Sequence, residues 1–180
     1  EPRIDTPLGR LPCSWSVLAL GERYSIQLGK MVSRSVQRGG IETPYLRNAN
    51  IQWGRLKLDD MATMKFTTEE RAKFSLRPGD ILACEGGHVG KAAMWREEIL
   101  GASYQKALHR IRALKGDNPE FMLHCMYYFS ITGRFAAETG VTTIPHLPAE
   151  RLRAMHFPFP TVEEQNDIVA SIASFDSDSA

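Results

Sequence analysis

Asp80, Cys84, Glu85, His88, Lys91 and His109 are the side chains of this 180-residue chain whose types and spacing invite a catalytic reading. Gly90-Lys91 closes the run Glu85-Gly86-Gly87-His88-Val89-Gly90-Lys91. A phosphate-cradling loop, G-x-x-x-x-G-K-[ST], would need glycine where Glu85 stands and a hydroxyl where Ala92 stands. That reading is rejected. Asp80 and Glu85 near a lysine suggest a metal-dependent nuclease, but glycines follow Glu85 and no second carboxylate pair is evident. Cys84 with His88 or His109 could form a nucleophile and its base. That pairing needs proximity in space and competes with the plainer reading of Cys84 as a buried structural thiol. The five histidines show no H-E-x-x-H or similar metal spacing.

The elements that position these residues point instead to a surface built for contact. Pro78-Gly79 supplies the fixed φ and the free φ of a type II turn, and Asp80–Cys84 reads as a short buried strand. The strand delivers the loop from Glu85 to Lys91 to a surface, where Gly86, Gly87 and Gly90 allow close backbone approach and His88 and Lys91 offer donors. Asn118-Pro119-Glu120-Phe121 comes near the Asn-Pro-Pro-Tyr/Phe tetrapeptide of adenine methyltransferases. Glu120 replaces its central proline, no glycine-rich methyl-donor loop precedes it, and the segment reads well as a helix cap.

Composition sets bounds. At 43% hydrophobic and 24% charged residues the chain has the make-up of one ordinary globular domain. No apolar run approaches the ~20 residues that cross a bilayer, and no signal-peptide pattern opens it, so a cytoplasmic location and no membrane partner are expected. Cys13, Cys84 and Cys125 lack disulfide or C-x-x-C spacing and are expected to be buried small apolar groups. The formal charge of +1 hides an uneven distribution. Residues 23–55 carry six basic residues (Arg23, Lys30, Arg34, Arg38, Arg47, Arg55) against Glu42. Residues 91–115 carry six against two acids, and residues 116–180 carry three arginines against nine acids. If the basic segments share a face, it attracts a polyanion; otherwise both are solvated surface.

In chain order, Pro2, Pro7 and Pro12 predict an irregular arm before a strand at Ser14–Leu20. Residues 29–43 read as a mobile basic loop with order resuming at Pro44, a bend is expected within Tyr45–Ile51, and Gln52-Trp53-Gly54 turns into a strand at Arg55–Leu58. Thr67-Thr68-Glu69-Glu70 is a capping box for a short helix that turns Ala72 and Phe74 inward. Strands follow at Lys91–Trp95 and Ala107–Leu114. Then the period changes. Asn118 caps a helix beginning at Pro119 and running to about Ile131, Thr132 caps a short turn carrying Phe135, and a short helix lies near Ala149–Ala154. A second capping box, Thr161-Val162-Glu163-Glu164, opens a helix whose Ile168, Val169, Ile172 and Phe175 form an apolar seam. The fold class is α+β, strand-rich at first, with helices concentrated in the last third.

Several blocks taken together resemble the target-recognition domain of type I restriction-modification specificity subunits. They are Pro44-Tyr45-Leu46-Arg47-Asn48-Ala49-Asn50-Ile51; Leu76-x-Pro78-Gly79-Asp80-Ile81-Leu82 with Glu85-Gly86 and Val89-Gly90; and Tyr104-Gln105-x-Ala107-Leu108-x-Arg110-Ile111-Arg112. Thr143-Ile144-Pro145-His146-Leu147 and Pro158-x-Pro160-x-x-Glu163-Glu164-Gln165-x-x-Ile168 continue the likeness. The resemblance implies a non-catalytic reader of double-stranded DNA, one domain for each half of a bipartite site. It implies a methyltransferase subunit that brings the methyl-donor cofactor, an endonuclease/translocase subunit, and no cofactor of the reader's own. It divides the chain into a target-recognition domain, 1–160, and the start of the conserved dimerisation and spacer helix, 161–180. That helix is short against the family's pattern, so a lone copy is expected either to see half a site or to pair with another chain, a second recognition domain being one such partner through this helix.

Arginine and lysine neutralise phosphates, while amides, histidine and arginine at loop tips read base edges. The DNA-contact pool is Arg34, Gln37, Arg38, Asn48, Asn50, Gln52, His88, Lys91, Tyr104, Gln105, Lys106, His109 and Arg110. Asn48, Asn50 and Gln105 could instead satisfy backbone groups at bends, Tyr104 and Trp53 could be packing residues, and Thr142, Thr143 and His146 could hold the preceding helix. Two other readings stay open: the reader domain of a single-chain restriction-methylation enzyme, and a protein-interaction module using the C-terminal seam.

Overall fold

A computed structural model describes residues 2–32, 40–139 and 145–178. The chain opens with a hairpin, β1 (Arg3–Thr6) and β2 (Gly9–Pro12), then β3 (Ser16–Ala19), a helical turn α1 (Leu20–Arg23) and β4 (Tyr24–Leu28). After β5 (Ile41–Leu46) a 3-10 turn at Asn48–Asn50 leads into the small hairpin β6 (Ile51–Gln52) and β7 (Arg55–Leu56). β8 (Ala62–Phe66), α2 (Thr68–Lys73), β9 (Ile81–Cys84), β10 (Ala92–Met94), β11 (Ser103–Tyr104) and β12 (Leu108–Ala113) complete the strand-rich part. The rest is helical except for β13: α3 (Pro119–Ile131), α4 (Arg134–Glu138), α5 (Ala149–Ala154), β13 (His156–Phe159) and α6 (Val162–Asp178). The class is mixed α+β with helices mainly in the C-terminal part, as the sequence implies.

A four-stranded sheet in the order β10-β9-β12-β4, antiparallel throughout, forms the middle layer. Successive side chains of a strand face opposite sides, so both sides of this sheet must be covered if both are apolar. They are. Ile81, Ala83, Ala92, Met94 and Ile111 pack with Met122, Met126, Phe129 and Phe157 on one side, while Leu82, Cys84, Ala93, Trp95 and Leu108 pack with Leu46, Phe66, Phe74 and Tyr104 on the other. Helices cover the first face. The second is covered by a three-stranded sheet, order β11-β5-β8, in which β11 runs parallel to β5.

Local signals are met where the chain can satisfy them by itself. Asp80 N–H donates to Arg77 O at 2.9 Å across Pro78-Gly79, with Gly79 at φ +88° as a type II turn requires. Thr67 accepts from Glu70 N–H and Thr67 N–H donates to the Glu70 carboxylate, closing the capping box. Asn118 Oδ1 accepts from the Glu120 and Phe121 amides, with Pro119 first in α3. Tertiary contacts alter other expectations. The N-terminal arm is a hairpin, because Pro7 sits in its turn, where Thr6 Oγ1 accepts Leu8 N–H and donates to Gly9 O. β4 is a strand that the sequence reading passed over, and β5 begins before Pro44, at Ile41. Ala72 is exposed while Phe74 is buried. Gly133 at φ +75°, rather than Thr132, precedes α4. Cys84 is buried, but Cys13 is exposed.

α6 is tied into the body by its first turn. Thr161 accepts from Glu164 N–H, but the Glu164 carboxylate leaves the expected box and takes the Trp15 indole N–H at 2.8 Å. Gln165, fully buried, donates to Asp117 Oδ1 and Pro160 O and accepts from Asn118 N–H. Asp117 in turn accepts from Nε and Nη2 of Arg23. Replacing Gln165 by Leu leaves a buried carboxylate oxygen, a carbonyl and an amide short of partners. At ~1 kcal/mol per net hydrogen bond, urea unfolding should show a loss of about 2–3 kcal/mol.

Candidate nucleic-acid interface

The strand directions bring four connections to one end of the molecule. β4, β5, β9 and β11 reach it at their C-termini and β10 and β12 start from it, as the antiparallel pairings of β9 and β12 and the parallel pairing of β5 and β11 require. Backbone hydrogen bonds then stitch the connections together. Gln105 N–H donates to Leu46 O, Lys106 N–H to Lys30 O, Lys30 N–H to Tyr104 O, Gly29 N–H to Leu108 O, and Glu85 N–H to Ala107 O. Leu147 N–H donates to Glu85 O and Gly87 N–H to Pro145 O, which fastens the segment after the polar loop to the glycine loop. The tip is therefore one connected surface, not a set of separate loops.

Two backbone positions show how tightly it is joined. Gly29 passes directly against the Tyr104–Gln105 backbone, and a Cβ there would collide with the Gln105 carbonyl. Ala107 holds φ at +147°, where L side chains are rarely found, because its carbonyl accepts Glu85 N–H while Leu108 N–H turns back to Gln105 O. The close approach expected of the glycine loop is made within the chain: a Cβ on Gly90 would collide with the Phe135 ring, and Gly86 faces the Pro145 carbonyl.

Of the sequence-derived contact pool, Asn48, His88, Lys91, Gln105 and Lys106 come together at this tip. Asn48 Nδ2 donates to Gly86 O at 3.3 Å, linking the 3-10 turn to the glycine loop, and its Oδ1 is buried without a partner. His88 and Lys106 are exposed; Lys91 and Gln105 are half-buried. Gln52 lies on the β6–β7 hairpin beside them, where Gly54 N–H donates to Ala92 O. Four others are turned inward. Asn50, 2% exposed, accepts Arg47 N–H and donates to Lys57 O and Asp60 O. Tyr104 is fully buried against Phe74, and burial pushes its phenol up to about 12. Arg110, 6% exposed, donates to Lys73 O, Ser75 O and Gln27 Oε1. His109 is fully buried with its Nε2 at 2.9 Å from Leu147 O. These four hold the tip from beneath, and their donors do not face solvent. Arg34, Gln37 and Arg38 lie outside the described residues, as do Thr142 and Thr143.

The basic segments are also less free than their residue counts suggest. Arg23 pairs with Asp117, Arg47 with Asp60, Arg96 with Glu120 and Arg112 with Asp80. Lys30 is buried, its ammonium held by Glu70 and Lys65 O over the Phe66 ring. Of the residues that invited catalysis, Asp80, Glu85, Cys84 and His109 are buried within the protein, while His88 is exposed and Lys91 half-buried. Asp80 caps Arg77 N–H and pairs with Arg112, and Glu85 pairs with His146 at 3.0 Å. His146 thus fastens the glycine loop. Cys84 stands opposite Leu108 in the sheet and His109 opposite Ala83, so thiol and imidazole project from opposite faces. Burial pushes the Cys84 thiol up to about 11. Sequence reasoning missed Gly29, Lys30 and the Glu85–His146 pair. The alternation Tyr24, Ile26, Leu28 was the available signal for the strand that leads to the first two.

A strand-built body thus offers one fused loop surface. The chain belongs to the type I restriction modification DNA specificity domain family, Methylase_S, whose model matches residues 12–180, and this gives it a DNA-recognition role. Similar solved structures include a chain from work on complex assembly and conformational transition of the type I R-M system (19% identity, TM-score 0.69). The HsdS subunit from Thermoanaerobacter tengcongensis is another (20% identity, TM-score 0.66). In both cases the match covers 96% of this chain and 40% of the other. The type I S subunit from M. genitalium follows at 15% identity and TM-score 0.57, over 91% of this chain and 39% of that one. The likenesses concern the fold, and this chain spans about 40% of the length of the first two. No curated protein matches.

Two outcomes follow from the tip's construction. Gly29→Ala must push the Gln105 carbonyl away and should cost ~1–3 kcal/mol in denaturant unfolding. Burial lowers the His109 pKa below its ordinary 6.5, so the unfolded chain binds that proton more readily. The stability this site contributes is complete above about pH 6.5 and is lost as pH falls through the folded value. His109→Gln, which retains a donor for Leu147 O, should flatten the fall in unfolding free energy measured between about pH 8 and pH 5.

Proposed function

We propose that this chain reads sequence in double-stranded DNA by presenting the fused tip to one half of a bipartite site, making and breaking no covalent bonds itself. The observation that carries this reading is the convergence of Asn48, His88, Lys91, Gln105 and Lys106 on one hydrogen-bonded surface. The Gln105 amide and His88 imidazole can pair with base edges and the lysines can meet phosphates, while Asn48 ties the turn to the glycine loop and the doubly covered sheet beneath fixes their spacing. Gln52 and the basic side chains Arg34 and Arg38, with Gln37, belong to the same proposed contact set. Residues 1–160 form the reader and 161–180 the start of the helix by which it joins other parts of an assembly. Those parts are a methyltransferase subunit, an endonuclease/translocase subunit and a second recognition domain. Cytoplasmic DNA is its setting, and no helix among the described residues is long and apolar enough to cross a membrane.

The test is duplex binding by the chain with its methyltransferase partner across a range of salt. A selection on randomised duplexes should enrich one half-site, and log affinity should fall linearly with log salt. Lys91→Ala with Lys106→Ala should lower that slope by about two phosphate contacts, ~0.9 each, with little change in preferred sequence. A selection that enriches nothing, with a slope near zero, would end the reading.

A further inference from the structure

Two apolar side chains stand out at the tip. Met31 is 65% exposed and Val32 is 50% exposed, immediately after the fully engaged pair Gly29-Lys30. Lys30 is fixed at both backbone ends, N–H to Tyr104 O and O to Lys106 N–H, and its ammonium is locked between Glu70 and Lys65 O. The chain therefore leaves Lys30 in a set direction, beside Lys106. A stiff mount that carries two uncovered apolar groups next to an exposed cation matches one feature of a duplex. In the major groove, the C5-methyl of thymine is the apolar group on the base edges, and the phosphates run alongside it.

We infer that Met31 and Val32 are specificity-determining residues that contact a thymine methyl, with Lys106 on the neighbouring phosphate. The inference rests on the DNA-reading function proposed above and adds a base identity to it. The contact needs no hydrogen bond, so its signature is dependence on a methyl group: uracil keeps every pairing edge of thymine and lacks only that carbon.

The experiment takes the half-site enriched by selection and replaces each thymine in turn by deoxyuridine, measuring affinity with the chain and its methyltransferase partner. One replacement should weaken binding about fourfold, the worth of one methyl taken from apolar contact. Met31→Ala with Val32→Ala should bind the thymine and uracil duplexes equally. Both sites are exposed, so folding should be kept, and matching thermal melts verify this. Met31→Leu, which preserves apolar bulk, should restore discrimination. An enriched site without thymine, uniform tolerance of uracil, or a double variant that still distinguishes the two bases would overturn the inference while leaving DNA reading intact. An apolar wedge between base steps would follow step flexibility instead of the methyl and would also count against it. Loss of all sequence-dependent binding by the wild-type chain is a different result, because it removes the parent reading.

Discussion

Burial of β9 and β12 on both faces is the constraint from which the rest of the structure follows. Strand periodicity leaves no outward side for polar residues, so the charged members of β12 must be satisfied within the protein. Arg112 reaches Asp80 through two donors, at 2.6 and 2.7 Å, and Arg110 gathers the carbonyls of Lys73 and Ser75. Those bonds bring the segment between α2 and the Pro78-Gly79 turn onto the sheet. His109, from the opposite face, does the same for Leu147. A single strand thus recruits connections from both sides and delivers its own start, Leu108 just after Ala107, into the middle of the tip.

The same inward use of charge reshapes the electrostatics. Basic residues grouped in the sequence are dispersed among pairs such as Arg23–Asp117 and Arg112–Asp80, whose carboxylates are nearly inaccessible. Among the described residues, the cations that meet solvent at or beside the tip are chiefly Lys106, the half-buried Lys91 and Arg55 on the β6–β7 hairpin. Long-range attraction to a polyanion is then modest for the described part of the surface, whose backbone is held at fixed spacing by seven cross-connections.

Much of the fold was legible because it is local. The Pro78-Gly79 turn, the Thr67 box, the Asn118 cap and the apolar run at β9 each satisfy themselves within a few residues. What escaped was decided at a distance. Nothing near Glu164 announces that its carboxylate will take the Trp15 indole, nor does anything near Lys30 foretell Glu70 as its partner. The candidate site divides likewise. Loop membership of His88 and Lys106 could be read from glycines and polarity, whereas the inward turn of Tyr104 and Arg110 depends on packing between the two sheets, that of His109 on the opposite face and Leu147, and that of Asn50 on the carbonyls of Lys57 and Asp60. The family motifs include Asn50, Tyr104 and Arg110, which hold the tip in shape, and also Asn48 and Gln105, which reach it, so motif membership marks scaffold and surface alike.

The buried amide of Gln165 carries one more implication. It joins α6 to Asp117, and Asp117 joins Arg23 at the head of β4, the strand whose other end runs out to Gly29 and Lys30. Torque on the helix therefore has a short covalent and hydrogen-bonded route across the molecule. The first turn of the helix is geared, through buried groups, to the strand that ends at the tip.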